Sequence, residues 1–338
     1  MKTIKIDFKN FWEGFDKEDN FFTNLLRENY KVIIMDKSDD SLDYMFYSIY
    51  PEQNSIPKNI SGMGDLLRKF SSRAYVFARS TYIRLLNKKK EVVVPEGDFV
   101  KILYTTEDVR PDMDTCDFAF SPFSDIDNSR HFEMPLHLVG DYYFDEKLKL
   151  PFKRNIDFNK IKKDKTKFCN FIYSQEIPFR NNFFKELRKY KPIDSPGMCM
   201  NNMKPITGGS PRDSRGSSKW AIEKLKFLNQ YKFTIACENT DDHPYTTEKL
   251  VHPFLVNSIP IYLGNKNVSR DFNTKSFINY SDFENMEEFI EHIKKVDSDD
   301  NLYRQYLEEP IFNTKEQYDF IGKERVADKL KEIIEGKK

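Results

Sequence analysis

Residues 231–283 read YKFTIACENTDDHPYTTEKLVHPFLVNSIPIYLGNKNVSRDFNTKSFINYSDF, and the fold class follows from this segment. It holds an apolar run at 232–237 (KFTIAC), a polar loop at 238–245, a helix pattern from Thr246, and a second apolar run at 259–263 (IPIYL). Two short apolar strands joined by a helix indicate a parallel βαβ unit. The segment therefore predicts an α/β domain.

The preceding residues repeat this order. Residues 167–173 (KFCNFIY) predict a strand, 174–179 a loop, and 180–190 a helix with one apolar face. A loop at 197–218, centred on GGSPRDSRGSS, and a short helix that ends near Gln230 then lead back to the first segment. The second half of the chain is therefore predicted to be built from parallel strands and helices.

The first half shows the same alternation. One helix is predicted near 20–30, and strands are predicted at 3–8, 31–35, 43–49 and 100–104. A basic stretch at 57–90 interrupts this pattern. It could dock on an anionic membrane or an acceptor, but charge runs of this kind are more often solvated surface, and we favour that interpretation.

These patterns predict two Rossmann-like domains that face each other across a cleft. The predicted organisation is an N-terminal domain at 1–150 with a basic insertion near 57–95, a polar linker at 151–166, a C-terminal domain at 167–314 and a C-terminal helix at 315–338.

Composition limits the possible functions of the 338 residues. Lys and Arg number 54 and Asp and Glu number 54, so no net charge favours nucleic acid, while 30 Phe and 18 Tyr argue for a folded chain. No apolar run approaches the ~18 residues of a membrane span, and the start lacks a secretory pattern. We expect a cytoplasmic protein, with residues 57–90 as the candidate contact with the inner face of a membrane.

Several common binding motifs are missing. The sequence has no GxGxxG and no P-loop, so a bound nucleotide needs another means of holding its phosphates. The four cysteines are widely separated, which argues against a zinc site. The DxD triplets at 112–114, 125–127 and 297–299 follow no clear apolar strand, and we interpret them as surface or turn residues. No metal site is predicted.

Two helix starts are the candidate anion sites. Arg180 begins one predicted helix, and Glu248 and Lys249 lie in the first turn of another. Ligands of open α/β sheets bind at the carboxyl ends of strands, and helix N-termini favour phosphate. A guanidinium and an ammonium that converge there could neutralise a diphosphate. Taken alone, however, each residue is more often ordinary surface decoration.

The motifs of segment 231–283 resemble the donor-binding region of the α-1,3-fucosyltransferases, glycosyltransferase family 10. The resemblance lies in CEN followed by Y-x-TEK, IP-x-Y-x-G and DFN-x-KSF. It extends, in the family's order, to the segments at 7–26, 101–120, 130–136 and 168–190, and it covers about two-thirds of the chain.

This resemblance implies a type B glycosyltransferase that moves L-fucose from GDP-L-fucose to a glycan hydroxyl with inversion, with O3 of N-acetylglucosamine as the expected acceptor. The N-terminal half would hold the acceptor and the C-terminal half the GDP-sugar. By position, Glu107 matches the general base, Arg180 and Lys249 match the diphosphate clamp, and Asn239, Tyr245 and Glu248 match residues that line ribose and fucose. Such a clamp makes a bound metal dispensable without excluding a stimulatory one.

The sequence departs from the family pattern at three places. The base lies in Thr106-Glu107-Asp108, so a second carboxylate adjoins it; Cys237 replaces an aromatic residue; and Pro253 lies inside a predicted helix. Two alternatives stay open: a transferase for another GDP-sugar or acceptor, and a non-catalytic relative that binds glycans or anions.

Overall fold

The computed structural model describes residues 1–12, 15–35, 41–50, 93–105, 109–134, 149–206, 218–239 and 246–336. Three sequence predictions lie outside these residues: the basic stretch at 57–90, Glu107 and Tyr245. The described chain divides into two compact units, one formed by Met1–Ser121 and Asp125–Glu133, the other by Pro122–Ser124 and Met134–Lys338. None of the described helices is long and apolar enough to cross a membrane.

The first unit is built on a parallel sheet. Its strand order is β2-β1-β3-β4-β5-β6, and all the pairs are parallel. The predicted strands in this half are confirmed, whereas β5 and β6 were not predicted. The bounds are β1 (Thr3–Lys9), β2 (Lys31–Ile34), β3 (Tyr44–Tyr47), β4 (Val100–Tyr104), β5 (Phe118–Ser121) and β6 (His131–Glu133).

Aromatic side chains form much of the core of the first unit. Helix α1 (Phe21–Arg27) begins at Asn20, whose side chain accepts a hydrogen bond from the Thr23 backbone, and it buries Phe22. The Phe22 ring packs edge-on against Tyr104 of β4 and against Phe120 of β5. Contacts of this kind fix the helix on one face of the sheet.

The second unit is also built on a parallel sheet, in the order β11-β10-β9-β7-β8. The strands are β7 (Lys167–Asn170), β8 (Ile193–Asp194), β9 (Tyr231–Cys237), β10 (Ile259–Leu263) and β11 (Ile278–Asn279). The helices are α2 (Phe158–Asp164), α3 (Pro178–Leu187), α4 (Ser218–Leu228), α5 (Glu248–Leu255), α6 (Met286–Ser298), α7 (Asp300–Glu308), α8 (Lys315–Phe320) and α9 (Lys323–Ile334). The predicted α/β class is therefore confirmed in both units.

The boundaries of the second unit differ from the predicted ones. Its core already includes Leu150, which packs in the same cluster as Leu250 of α5. The predicted linker at 151–166 contains α2, because Asp157 caps this helix and Ile161 is buried in the core. The predicted C-terminal helix is two helices, α8 and α9, which are separated at Ile321 and Gly322.

Helix α5 is short and is fixed at both ends. Thr247 caps its first turn, and the helix ends two residues after Pro253, which lacks an N–H donor. At its far end, the buried Lys165 ammonium donates to the carbonyl of Val256 at 2.5 Å and to the carbonyl of Asn229, beyond α4, at 2.9 Å. One side chain therefore joins the carboxyl ends of α4 and α5.

Candidate functional site

Polar and charged side chains collect where β7, β9 and β10 end. Helix α3 follows β7, helix α5 follows β9, and both helices begin near these carboxyl ends. Parallel strands bring their following loops to one edge of a sheet, where α/β proteins bind ligands. Among the described residues, this edge of the second unit holds Arg180, Glu238, Asn239, Glu248 and Lys249, and it is the candidate site.

Arg180 is a buried cation with spare hydrogen-bonding capacity. Its side chain lies in the first turn of α3, and the residue is only 1% exposed. Nη2 donates to the carbonyl of Gln175 at 2.6 Å, and Nη1 donates to Oδ1 of Asn239 at 3.3 Å. The Nε atom is buried and has no hydrogen-bond partner among the described residues. Because an unpaired buried donor is costly, Nε is a candidate contact for a ligand.

Tyr173 supports the Arg180 guanidinium. The guanidinium carbon lies 3.8 Å from the centre of the Tyr173 ring, which is close enough for a cation–π interaction. The Tyr173 hydroxyl donates to the carbonyl of Ile235 at 2.8 Å and accepts from the Cys237 backbone N–H at 2.6 Å. The ring is thereby anchored to β9 and presents a rigid surface to Arg180.

Glu238 and Lys249 form the central ion pair of the site. The Glu238 side chain is fully buried, and its Oε2 lies 3.0 Å from Nζ of Lys249. Thr247 adds two bonds to the carboxylate, from its backbone N–H at 2.8 Å and from its hydroxyl at 2.9 Å. Gly264 makes room for this carboxylate, since a Cβ there would lie 2.6 Å from Cγ of Glu238.

The pKa values of this pair reflect burial and mutual attraction. Burial raises the pKa of Glu238, although Lys249 opposes the rise. For Lys249, burial favours the neutral amine, but Glu238 and Glu248 outweigh it, so the pKa of Lys249 is raised. The ammonium of Lys249 therefore stays charged at neutral pH.

Glu248 is the carboxylate of the site that opens to solvent. Its side chain is 34% exposed, and its Oε1 lies 3.9 Å from Nζ of Lys224 on α4, whose side chain is only 7% exposed. Burial alone would raise the pKa of Glu248, but Lys249, Lys224 and His252 together lower it to about 2. The carboxylate is ionised throughout the physiological range and can accept hydrogen bonds.

Comparisons with known proteins identify the family of this chain. Residues 162–328 match the family model described as glycosyltransferase family 10 (fucosyltransferase) C-term. Residues 6–58 match the model described as the alpha-(1,3)-fucosyltransferase FucT N-terminal domain. The two models together cover more than half of the chain. The chain belongs to glycosyltransferase family 10.

Curated relatives of this family member include a putative fucosyltransferase R654 of Acanthamoeba polyphaga mimivirus. It is 37% identical over 154 residues, which are 44% of this chain and 25% of the relative. The alpha-(1,3)-fucosyltransferase FucT of Helicobacter pylori is 32% identical over 230 residues, which are 63% of this chain and 48% of the relative. The chain thus spans a quarter to a half of the length of these relatives.

A solved structure of the same fold is the crystal structure of an alpha1,3-fucosyltransferase with GDP-fucose. Its TM-score with this chain is 0.69 at 22% sequence identity, and the match covers 99% of this chain and 91% of that one. The likeness confirms for this family 10 member the α/β fold predicted from the sequence.

The structure brings together four of the six residues that the sequence selected: Arg180, Asn239, Glu248 and Lys249. Asn239 contacts Arg180 directly and adjoins Glu238 in the chain. The other two, Glu107 and Tyr245, lie outside the described residues.

Three residues of the site were missed by the sequence analysis. Glu238 belongs to the CEN motif, but nothing local shows that its carboxylate turns inward to Lys249. Thr247 was considered only as a helix cap, although it also bonds Glu238. Lys224 gave one usable signal, because it interrupts the apolar stripe that Ala221, Leu225 and Leu228 form on α4.

Proposed function

We propose that this chain transfers L-fucose from GDP-L-fucose to a glycan hydroxyl with inversion at the anomeric carbon, and that the acceptor atom is O3 of N-acetylglucosamine. Membership of glycosyltransferase family 10 supports the reaction class. The observation that supports the donor site most directly is the buried Arg180, whose Nε has no partner among the described residues, beside the Lys249–Glu238 pair.

Binding of the donor would use the cations at the two helix starts. A diphosphate carries charge that two cations and helix N–H groups can neutralise in a poorly hydrated site. Neutralisation matters most as the bond between the anomeric carbon and the β-phosphate oxygen breaks, because negative charge then collects on the leaving GDP. We therefore propose that Arg180 and Lys249 make a resident metal dispensable.

The acceptor half of the reaction would use Glu107. In this scheme, its carboxylate takes the proton of the acceptor hydroxyl while the oxygen attacks the anomeric carbon from the side opposite to GDP. The bond to the phosphate oxygen breaks with its electron pair leaving on GDP, and the configuration inverts. This role rests on the match of Glu107 to the family's general base and on its place three residues after β4.

Calorimetric titration with GDP, GDP-L-fucose and GDP-mannose in EDTA tests the donor half. We expect GDP and GDP-L-fucose to bind without added metal and GDP-mannose to bind more weakly. No binding of any guanine nucleotide would contradict the proposal, and a preference for GDP-mannose would point to another GDP-sugar.

Glu107→Gln tests the catalytic half. We expect it to abolish transfer to N-acetyllactosamine while the dissociation constant for GDP changes less than about twofold, because the amide cannot accept the proton. The neighbouring Asp108→Asn is the matched control and should retain transfer. Full activity of Glu107→Gln would remove Glu107 from the mechanism.

A further inference from the structure

Lys224 occupies an unusual place on α4. It lies on the helix face that also carries Ala221, Leu225 and Leu228, which are buried among other apolar side chains. Lysine is rarely buried to this extent without a charged partner, because removing the ammonium from water is costly. Burial accordingly lowers the pKa of Lys224, while Glu248 opposes that effect.

The Lys224 ammonium approaches Glu248 from the protein side. The two charged groups lie 3.9 Å apart, and the lysine side chain is almost completely covered while the carboxylate is about one-third exposed. Lys249, the next residue along α5, makes its direct ion pair with Glu238 instead. The ion pairs are therefore Lys224 with Glu248 and Lys249 with Glu238, while the charge of Lys249 also acts on Glu248.

The exposed carboxylate of Glu248 is suited to bind hydroxyl groups. An ionised carboxylate only accepts hydrogen bonds, and its two oxygens suit two neighbouring hydroxyl groups of a hexose. A carboxylate that binds such a pair must be held in one orientation, because a freely rotating side chain loses entropy on binding. An ammonium 3.9 Å away attracts the carboxylate electrostatically and so favours one position of the side chain.

We propose that Lys224 is a positioning residue that holds the Glu248 carboxylate in place to accept hydrogen bonds from adjacent hydroxyl groups of the donor sugar. The proposal rests on the proposed function, because it takes a GDP-sugar as the ligand. It adds a recognition element supplied by α4, a helix that the sequence motifs do not include. Lys224 acts on the sugar half of the donor and not on its nucleotide.

A purely structural lysine would behave differently. Methionine at this position avoids the cost of burying an ammonium, and the Glu248 carboxylate that loses its partner is about one-third exposed and still reaches water. Lys224→Met should therefore leave the melting temperature unchanged or raise it, since methionine suits the stripe of α4. Recognition of the sugar should fall at the same time, and that combination is not expected of a residue that serves the fold alone.

The test compares the dissociation constants of GDP and GDP-L-fucose for the wild type and for Lys224→Met. We expect GDP-L-fucose affinity to fall about tenfold and GDP affinity to change less than about twofold, since the Glu248 carboxylate that would contact the sugar is no longer held in place. Lys226→Met, on the same helix with a 66% exposed side chain, is the matched control and should change neither. Lys224→Arg should restore part of the selectivity.

A double-mutant cycle tests whether Lys224 acts through Glu248, and it keeps this role distinct from a general loss of folding. Glu248→Gln should show the same selective loss for GDP-L-fucose, and adding Lys224→Met to it should cost little more, because both act through one carboxylate. Equal weakening of GDP and GDP-L-fucose by Lys224→Met would overturn the positioning role, as would additivity of the two substitutions. A wild type that binds no guanine nucleotide would overturn the proposed function and this inference with it.

Discussion

Two clusters of buried charge lie at opposite edges of the sheet of the second unit. One lies where the strands begin and is centred on Asp297 of α6; the other lies where the strands end and contains Arg180, Glu238 and Lys249. Both contain lysines and buried carboxylates. They differ in how completely their hydrogen-bonding groups are used.

In the cluster at the beginning of the strands, the central carboxylate has a partner on every side. The Asp297 side chain is 2% exposed and forms ion pairs with Lys191 and, at 2.7 Å, with Lys232, the second residue of β9. The Tyr190 hydroxyl donates to the same carboxylate at 3.1 Å, and Lys232 also donates to the Asp297 carbonyl at 2.7 Å. Such a cluster ties α6 to the strand starts, and its buried carboxylate is fully engaged by partners among the described residues.

The cluster at the strand ends keeps unused capacity. Arg180, Lys224 and Lys249 bring three positive charges against the carboxylates of Glu238 and Glu248, and the buried Nε of Arg180 has no partner in the described part of the chain. A surplus of charge and donors favours binding of an anion. Burial of charge alone therefore does not identify a functional site. The cluster with Arg180 is the candidate because its unpaired donor also lies where the strands end, at the edge where α/β sheets bind ligands.

Asp297→Asn is expected to have the largest effect on folding. It leaves two lysines without their carboxylate, and breaking a buried ion pair of this kind costs about 3 kcal/mol of unfolding free energy. Urea denaturation measures the loss, while calorimetry should give an unchanged dissociation constant for GDP. A weaker affinity for GDP in a folded variant would show that the two clusters are not independent.

The pH dependence of stability tests the contribution of the ionised Asp297 carboxylate. Burial alone would raise the pKa of Asp297, but the hydrogen bonds and charges of Lys191 and Lys232 hold it below its ordinary value. A lowered pKa stabilises the folded state above about pH 4, the pKa of an unfolded Asp, and this stabilisation is lost as the pH falls further. The difference in stability between the wild type and Asp297→Asn should therefore shrink below about pH 4.

Lys249→Met, unlike Asp297→Asn, should weaken GDP binding more than it destabilises the fold. We expect the dissociation constant for GDP to rise about 30-fold, roughly 2 kcal/mol, because a charge-assisted contact to the diphosphate is lost. The fold should lose less than this, since Glu238 keeps its bonds from Thr247 and burial already favours its protonated form. Lys294→Met, which removes an ammonium from the surface of α6, is the control and should leave GDP affinity unchanged.

Gly264→Ala should give the smallest effect. The added methyl group would lie 2.6 Å from Cγ of Glu238 and 2.8 Å from the Tyr262 hydroxyl, so the Glu238 side chain must shift and its pairing with Lys249 is disturbed. We expect a loss of about 1 kcal/mol in stability and a fewfold rise in the dissociation constant for GDP, read by thermal melting and calorimetry. Wild-type values in both assays would mean that the site tolerates displacement of Glu238.

Local sequence patterns were sufficient to predict the strands and helices that carry the donor motifs. Residues 259–263 are apolar throughout and form β10 as predicted. Helix α5 begins at Glu248, two residues after the predicted start at Thr246, because Thr247 is the cap. Arg180 and Lys249 could be placed at helix starts for the same reason. These features depend on neighbours in the sequence, and a helix cap or a buried strand leaves a short-range signal.

Long-range pairings could not be read from the sequence. The triplet at 297–299 was interpreted as a surface or turn segment, but Asp297 is buried because lysines more than 60 residues away reach it. The inward turn of Glu238 likewise depends on Lys249, Thr247 and the missing Cβ of Gly264. Each of these contacts is fixed by packing of the sheet, and no spacing rule predicts it.

The Lys165 side chain affects how α4 and α5 unwind. Because it binds the carbonyls of the residues that directly follow α4 and α5, unwinding of either helix end breaks one of its two bonds. Eight residues make a helix too short to persist unaided, so α5 depends on such anchors. We therefore expect a ligand that restrains the first turn of α5 to stabilise the end of α4 as well, through the shared Lys165 side chain.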